Sequence, residues 1–155
     1  NTESREALAK QLGAKEVLNL TSLGTEAVTE RLQKENGGLG ADLCVEASGA
    51  PDAVPQGMDI LRNRGVYLVP GQYSNSGGIT IQPQMITFKA LHIIGSSQYS
   101  ACDVEKYLEF LKQNPGLHST IGKLGRKYPI DGVNEAFADA KMGSNIKTLL
   151  VKSNG

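Results

Sequence analysis

The sequence contains no tryptophan, and aromatic residues make up only 5% of its 155 residues. Few aromatic side chains are available to stack on nucleobases, which argues against a nucleic-acid-binding module. Charge of neither sign predominates, since 16 Lys and Arg balance 16 Asp and Glu. No run of about 18 apolar residues occurs, and no signal-like segment opens the chain. We therefore expect neither nucleic acid nor a membrane among the partners of this protein.

Cysteine and histidine are also scarce, with two residues of each. Cys44 and Cys102 form no Cys-x-x-Cys motif and no evenly spaced framework, so we interpret them as reduced structural thiols of a cytoplasmic protein. His92 lies in a predicted strand and His118 in a predicted loop, and neither has a partner at ligand spacing. No metal site is therefore predicted within this chain.

Glycine, in contrast, is abundant, at 18 of 155 residues, and it marks the ends of alternating strand and helix patterns. Parallel strands need crossover connections of about a dozen or more residues, usually helical, and the spacing of the apolar runs fits this requirement. The strands are almost continuously apolar, as expected when both faces of a sheet are covered. The pattern predicts an α/β fold with a doubly wound parallel sheet, with strands near residues 16–20, 41–46, 65–69, 91–97 and 146–151.

Three short signals predict where helices begin and end. Pro51 stands near the first position of a helix, where its missing N–H is not needed. The segment Asn114–Gly116 predicts the end of a helix, and Asp131 predicts the N-cap of the last one. These signals place helical connections between the predicted strands.

Three of the predicted strands end in turns of small residues. These turns are Ala47-Ser48-Gly49, Pro70-Gly71-Gln72 and Gly95-Ser96-Ser97. In open α/β sheets ligands bind beyond the carboxyl ends of the strands, and small residues let a ligand approach the backbone closely. Glycines also make ordinary strand-to-helix turns, so for each turn taken singly both interpretations stay open.

The order of several segments, along nearly the whole chain, is characteristic of one protein family. The segments are Arg5–Ala14, Gly40–Asp42 with Val45–Gly49, Gly65–Gly71, Lys89–Ser96, Tyr128–Ile130 with Asn134–Phe137, and Ile146–Val151. No single segment is decisive, but the ordered set is specific. It resembles the C-terminal half of a medium-chain dehydrogenase/reductase, of the zinc-containing alcohol and polyol dehydrogenase branch.

The resemblance implies a particular domain organisation. Residues 1–113 would form a partial dinucleotide-binding domain with a Rossmann-like sheet that lacks its first two strands, and residues 114–155 would return to the catalytic domain. The Gly-x-Gly-x-x-Gly turn of such domains is not found, because the cluster Gly37–Gly40 neither follows a strand nor opens a helix. The zinc ligands of the resembled branch would lie outside this chain, which by itself would catalyse nothing.

The resemblance also implies residues that bind a nicotinamide cofactor, NAD or NADP. Arg5 would lie near the adenosine ribose. Lys147 would reach the pyrophosphate with its charge but without the bidentate fork of an arginine. The strand-end residues would lie along the cofactor and hold its nicotinamide, and they are Ala47, Ser48, Gly49, Val69, Pro70, Gly71, Gln72, Ser97 and Gln98. No catalytic residue is implied in this chain.

The implied function is hydride transfer between NAD or NADP and an alcohol, ketone or aldehyde, as part of a zinc-type alcohol or polyol dehydrogenase. The segment Glu46–Gly49 favours this branch over the quinone reductases, which usually carry Asp and Val-Gly there. A zinc-free quinone or enoyl reductase of the same superfamily is one alternative, and a non-catalytic dimerisation module is another. The predicted strand Leu91–Ser96 would pair with its copy in a second subunit, which implies a homo-oligomer.

Overall fold

The structure is a computed structural model that describes residues 3–152, and these residues form two compact units. The first unit ends at Gln98 and the second begins at Tyr99. The first contains α1 (Glu3–Gln11), α2 (Leu20–Leu23), α3 (Thr25–Glu35), β1 (Ala41–Val45), α4 (Ala53–Ile60), β2 (Leu61–Val69), α5 (Gln84–Lys89) and β3 (His92–Gly95). The second contains α6 (Ala101–Gln113), α7 (Gly116–Leu124), β4 (Gly125–Pro129), a 3-10 turn (Ile130–Gly132), α8 (Val133–Met142) and β5 (Lys147–Val151).

The strands β1, β2 and β3 form a parallel sheet in which β2 is central. Tyr67 of β2 pairs with Cys44 of β1 and with Ile93 of β3, so equivalent positions of the three strands lie side by side. The connection from β1 to β2 contains α4 and that from β2 to β3 contains α5, as parallel neighbours require. The predicted α/β fold with a parallel sheet is confirmed.

One face of this sheet carries the hydrophobic core of the first unit. Tyr67 and Leu61 are 0% and 1% exposed, and they pack with Met58 of α4 and with Leu91. The Tyr67 hydroxyl donates to the Ala53 carbonyl at 2.7 Å, which satisfies the polar end of the buried ring. The core thus lies between β2 and the helices that precede and follow it in the chain.

The opposite face of the sheet is open. Leu43 and Val45 of β1 are 52% and 53% exposed, and Ile94 of β3 is 49% exposed. The expectation that both faces of the predicted strands are covered is therefore wrong for this side of β1 and β3. An apolar strand is buried only where another layer packs on it, and the helices described here leave these side chains accessible.

A lysine from another helix caps the C-terminal end of α4. Lys89 of α5 donates from Nζ to the carbonyls of Met58, Asp59 and Leu61 at 2.8, 2.8 and 3.0 Å. The last carbonyls of a helix lack partners within it, and positive charge is favourable there. Burial lowers the pKa of Lys89, so desolvation offsets part of this gain.

The strand predicted at residues 16–20 does not form, so this prediction is wrong. Residues 17–19 have no regular secondary structure, and α2 begins at Leu20. Asn19 is the N-cap of α2, because its Oδ1 accepts a hydrogen bond from the Thr21 amide at 3.0 Å. A strand also needs a hydrogen-bonded neighbour, and in the part of the chain described here β1 pairs with β2 alone.

The second unit is built around a parallel pair of strands, β4 and β5. Tyr128 of β4 is buried, and its hydroxyl donates to Asp139 Oδ2 at 2.6 Å and accepts from Asn145 Nδ2 at 2.8 Å. Arg126 pairs with the same carboxylate at 3.0 Å and lies over the Tyr128 ring. These contacts fix the segment that leads into β5, whose first residue is Lys147.

Two features of the second unit differ from the predictions. Asp131 lies in the 3-10 turn, and the N-cap of α8 is Gly132 rather than Asp131. Pro115 follows the end of α6 as predicted, but it is also the N-cap of α7, a helix that was not predicted. His118 therefore lies in α7 instead of a loop, and its Nε2 is 2.9 Å from the Leu111 carbonyl oxygen.

Candidate functional site

The carboxyl ends of the three parallel strands bring the predicted small-residue turns to one edge of the sheet. The Gly71 amide donates to the Glu46 carbonyl at 2.9 Å, which joins the turns after β1 and β2. The Ser96 amide donates to the Val69 carbonyl at 3.4 Å, which joins the ends of β2 and β3. The predicted cofactor residues that lie on or directly follow these strand ends are Ala47, Ser48, Gly49, Val69, Pro70, Gly71, Gln72, Ser97 and Gln98.

The turns after β1 and β2 approach each other so closely that both require glycine. Gly49 has a φ of +72°, and a Cβ atom at this position would lie 2.8 Å from the Gly71 carbonyl oxygen. A Cβ atom on Gly71 would lie 2.8 Å from the Gly49 amide nitrogen. The Gln72 side chain adds a hydrogen bond from Nε2 to the Ala50 carbonyl at 2.9 Å. Contact between the turns therefore explains both glycines, whether or not a ligand approaches them.

Next to these turns lies a buried carboxylate that was not among the predicted site residues. Glu46 is 3% exposed. Its Oε1 accepts hydrogen bonds from the Ser48 amide at 2.7 Å, the Ser48 hydroxyl at 2.6 Å and the Gly49 amide at 2.8 Å. Burial by itself would raise the pKa of Glu46, but these hydrogen bonds hold it below its usual range. Glu46 is therefore ionised at neutral pH and orders the turn after β1.

The Glu46 carboxylate occupies backbone amides that could otherwise bind an anion. Amides that precede a helix are common binding sites for phosphate groups, but the Ser48 and Gly49 amides already bind this internal anion. The turn is thus suited to contact an uncharged part of a ligand. The sequence carries only a weak signal for this arrangement. An acidic residue at the end of an apolar strand is followed by Ala-Ser-Gly, in which Ser and Gly are typical of turns.

Two further predicted cofactor residues lie elsewhere in the chain. Arg5 is an exposed residue of α1 in the first unit. Lys147 is the exposed first residue of β5 in the second unit. The segments Ala47–Gly49 and Val69–Gln72 contain no basic residue, so these two side chains are the predicted source of positive charge for a phosphate-bearing ligand. Their roles at the ribose and the pyrophosphate stay predictions.

Metal ligands and reactive thiols are not part of this edge. Within residues 3–152, no three His, Cys, Asp or Glu side chains come together in a way that could hold a metal ion. Cys44 is half-buried in β1, where burial raises the pKa of its thiol, and Cys102 is exposed on α6. In the same part of the chain, the helices are too short or too polar to cross a lipid bilayer.

The first 113 residues of the chain match the family described as zinc-binding dehydrogenase. The chain belongs to this family. Together with the relatives and structures described next, this match confirms the resemblance to the C-terminal half of a zinc-containing alcohol or polyol dehydrogenase. Individual relatives also align with the part of this zinc-binding dehydrogenase chain that follows residue 113.

These relatives are enzymes that oxidise or reduce small molecules, according to their names. The chain is 30% identical over 155 residues to D-xylulose reductase A from Aspergillus oryzae, covering 96% of the chain and 40% of the relative. It is 28% identical over 150 residues to sorbitol dehydrogenase from Halalkalibacterium halodurans, covering 97% and 42%. The predicted oxidoreductase class is confirmed for the family. The zinc-binding dehydrogenase chain spans about two-fifths of the length of these relatives.

Solved structures show the same fold. An alcohol dehydrogenase from Thermotoga maritima matches with a TM-score of 0.87 at 22% identity, over 99% of this chain and 42% of that structure. Benzyl alcohol dehydrogenase from Acinetobacter calcoaceticus matches with a TM-score of 0.80 at 25% identity, over 98% and 41%. Both comparisons confirm the fold of the zinc-binding dehydrogenase chain.

Proposed function

We propose that this chain provides the nicotinamide-binding part of an alcohol or polyol dehydrogenase, which transfers a hydride between NAD or NADP and a small alcohol or carbonyl compound. The observation that carries the proposal is the edge where the turns after β1, β2 and β3 meet at the carboxyl ends of parallel strands. The names of the relatives, a sorbitol dehydrogenase and a D-xylulose reductase among them, support the substrate class.

The strand-end edge suits a flat, uncharged ring. Val69 and Pro70 offer an apolar wall, while Gly71 keeps the backbone beside it accessible by carrying no side chain. When bound, the nicotinamide supplies the site that accepts or gives the hydride. The residues of this chain bind and orient that ring and exclude water from one of its faces. We assign the backbone at Ser97 and Gln98 to its carboxamide.

We assign the charged part of the cofactor to the two basic residues. Arg5 would bind ribose hydroxyls or a ribose phosphate, and Lys147 would bind the pyrophosphate. Both side chains are exposed, so both are accessible to a ligand. A lysine provides positive charge without the fixed geometry of a guanidinium, so the contact of Lys147 is electrostatic rather than bidentate.

The zinc ion that the family name implies has no site among the described residues of this chain. Zinc needs several converging Cys, His or carboxylate ligands. We therefore place its ligands outside residues 3–152 and derive no step of the reaction through it.

We also propose that the protein is cytoplasmic and self-associates through β3. Free cysteines are typical of reducing compartments. The strand His92–Gly95 forms an edge of the sheet and is exposed along its whole length, and a twofold partner would pair that edge. Sedimentation of the full-length protein that carries this chain is expected to show a dimer or a larger assembly. A monomer at micromolar concentration would contradict this proposal.

Cofactor-dependent activity of the full-length protein tests the proposed function. We expect it to reduce NAD or NADP with at least one compound from a series of alcohols and polyols. Lys147→Ala is expected to weaken cofactor binding by about 10- to 150-fold, since losing a hydrogen bond to a charged group costs about 1.5–3 kcal/mol. The value of kcat at saturating cofactor should change little, because Lys147 is assigned to the pyrophosphate and not to the reacting atoms.

The matched control is Lys123→Ala, which removes an exposed lysine from α7. Calorimetry of cofactor binding and steady-state kinetics compare the two variants. Equal cofactor affinity in both variants would exclude Lys147 from the binding site. A protein that binds neither NAD nor NADP would overturn the proposed function as a whole.

A further inference from the structure

We propose that Glu46 is a positioning residue for cofactor binding, which holds the turns after β1 and β2 in the arrangement that a nicotinamide cofactor requires. This inference rests on the proposed function and adds to it a residue that does not itself touch the cofactor. Glu46 follows the last residue of β1 and is buried at the point where the two turns meet.

The side chain of Glu46 fixes the turn that follows it. Three donors from two consecutive residues, the Ser48 amide, the Ser48 hydroxyl and the Gly49 amide, converge on Oε1 within 2.8 Å. Hydrogen bonds to an ionised acceptor are roughly twice as strong as neutral ones. The positive φ of Gly49 is therefore stabilised by the hydrogen bonds from the Ser48 and Gly49 amides to Glu46, in addition to the conformational freedom of glycine.

The main chain of Glu46 fixes the neighbouring turn. Its carbonyl accepts the Gly71 amide at 2.9 Å, and a Cβ atom on Gly71 would overlap Oε2 of the same residue. The Gln72 side chain of this turn donates to the Ala50 carbonyl at 2.9 Å, which ties it to the segment that follows β1. One residue thus contacts both turns, through its backbone on one side and its carboxylate on the other.

The carboxylate is held without a cation. Among residues 3–152, no Lys, Arg or His forms an ion pair with Glu46. The titratable groups whose pKa values respond to it, Cys44 and Tyr67, are uncharged at neutral pH. Oε2 is buried and has no hydrogen-bond partner in the described part of the chain. A buried oxygen without a partner is unfavourable, so the three bonds to Oε1 have to offset the cost of burying this carboxylate. They can do so because hydrogen bonds to an ionised acceptor are stronger than those to a neutral one.

Because Glu46 is buried, we expect it to affect cofactor binding and not the hydride-transfer step itself. With 3% of its surface exposed, Glu46 cannot contact a cofactor directly. It acts through Ala47–Gly49 and Val69–Gln72, the segments assigned to the cofactor. Loss of its charge should therefore loosen cofactor binding and leave the rate of the bound complex almost unchanged.

The test uses Glu46→Gln in the full-length protein that carries this chain, because the amide keeps the shape of the side chain and an oxygen acceptor while removing the charge. The expected result is a rise of roughly 10-fold in the cofactor Kd and KM, with kcat within about twofold of the wild type at saturating cofactor. Hydrogen exchange of the peptide that contains Ser48 and Gly49 should become faster. The matched control is Glu30→Gln, which neutralises an exposed carboxylate on α3 and should change none of these quantities.

A second variant provides a test in case Glu46→Gln does not fold. Ser48→Ala removes one of the three donors from an exposed position and leaves the carboxylate in place. It should raise the cofactor Kd by about threefold, since one donor to the carboxylate is lost. Because Ser48 is itself assigned to the cofactor, the deciding readout is hydrogen exchange of the Gly49 amide in the cofactor-free protein, which should become faster only if the bonds to Glu46 hold the turn. A wild-type Kd in the folded variants, or a fall in kcat without a change in Kd, would overturn the positioning role. A wild-type protein without any cofactor binding would instead overturn the proposed function, and the inference with it.

Discussion

The two faces of the three-stranded sheet differ sharply at β1 and β2, whereas in β3 both Ile93 and Ile94 are exposed, on opposite faces. On one face Tyr67 and Leu61 are almost completely buried against α4 and α5. On the other face Leu43, Val45 and Ile94 are each about half exposed. All of these side chains are large and hydrophobic, so composition does not separate the faces. What separates them is whether a connecting helix packs on that side, which is decided by the tertiary structure and not by the strand sequence.

The difference in packing between the two faces can be measured by replacing one leucine on each face with alanine. Leu61→Ala should lower the free energy of unfolding of the chain by about 2–5 kcal/mol, because it leaves a cavity in a packed core. Leu43→Ala should lower it by less than about 1 kcal/mol, because its side chain is already half exposed. Urea unfolding of the two variants gives both values. Equal losses would show that the open face is covered in solution.

Glycines in two helices provide a smaller and independent test of packing on the covered face. A Cβ atom on Gly57 of α4 would overlap the Tyr67 ring, whose hydroxyl is bound to the Ala53 carbonyl. Gly57→Ala should therefore destabilise the chain by about 1–3 kcal/mol through overpacking. Thermal or urea unfolding measures this loss.

The control for this substitution is Gly122→Ala in α7, where a Cβ atom would meet nothing within 4 Å. Alanine is a better helix former than glycine, so this variant should gain about 0.5–1 kcal/mol. The two substitutions are chemically identical and are expected to have opposite signs. A stabilising Gly57→Ala would mean that the Tyr67 ring moves aside at no cost.

The three strands of this sheet and the turns at their carboxyl ends could be predicted because local patterns mark them. The apolar run of β1 lies between Gly40 and Gly49, and the run predicted at residues 65–69 is the second part of β2, which begins earlier, at Leu61. The turns at Gly49 and Gly71 follow from small residues at strand ends. Once parallel strands are predicted, their carboxyl ends must share one edge. The turns that share this edge could therefore be named from the sequence, whereas the cofactor roles of their residues follow from the family resemblance and stay predictions.

Other features depend on contacts that no local pattern contains. The apolar segment at residues 16–20 has the composition of a strand but no strand beside it, and Asn19 caps a helix instead. Pro115 ends one helix and starts another, because a proline is compatible with both positions. The role of Glu46 appears only when Ser48 and Gly49 fold back onto its carboxylate.

The bonds between Lys89 and the end of α4 have a consequence for how long the first unit stays folded. They join Lys89 to residues 28 to 31 positions earlier. Closing so long a loop requires β2 and α5 to be in place, so we expect these bonds to form after the main barrier to folding. Interactions that form after the barrier slow unfolding and hardly affect the rate of folding. We therefore expect Lys89→Met to speed unfolding of this unit more than it slows folding.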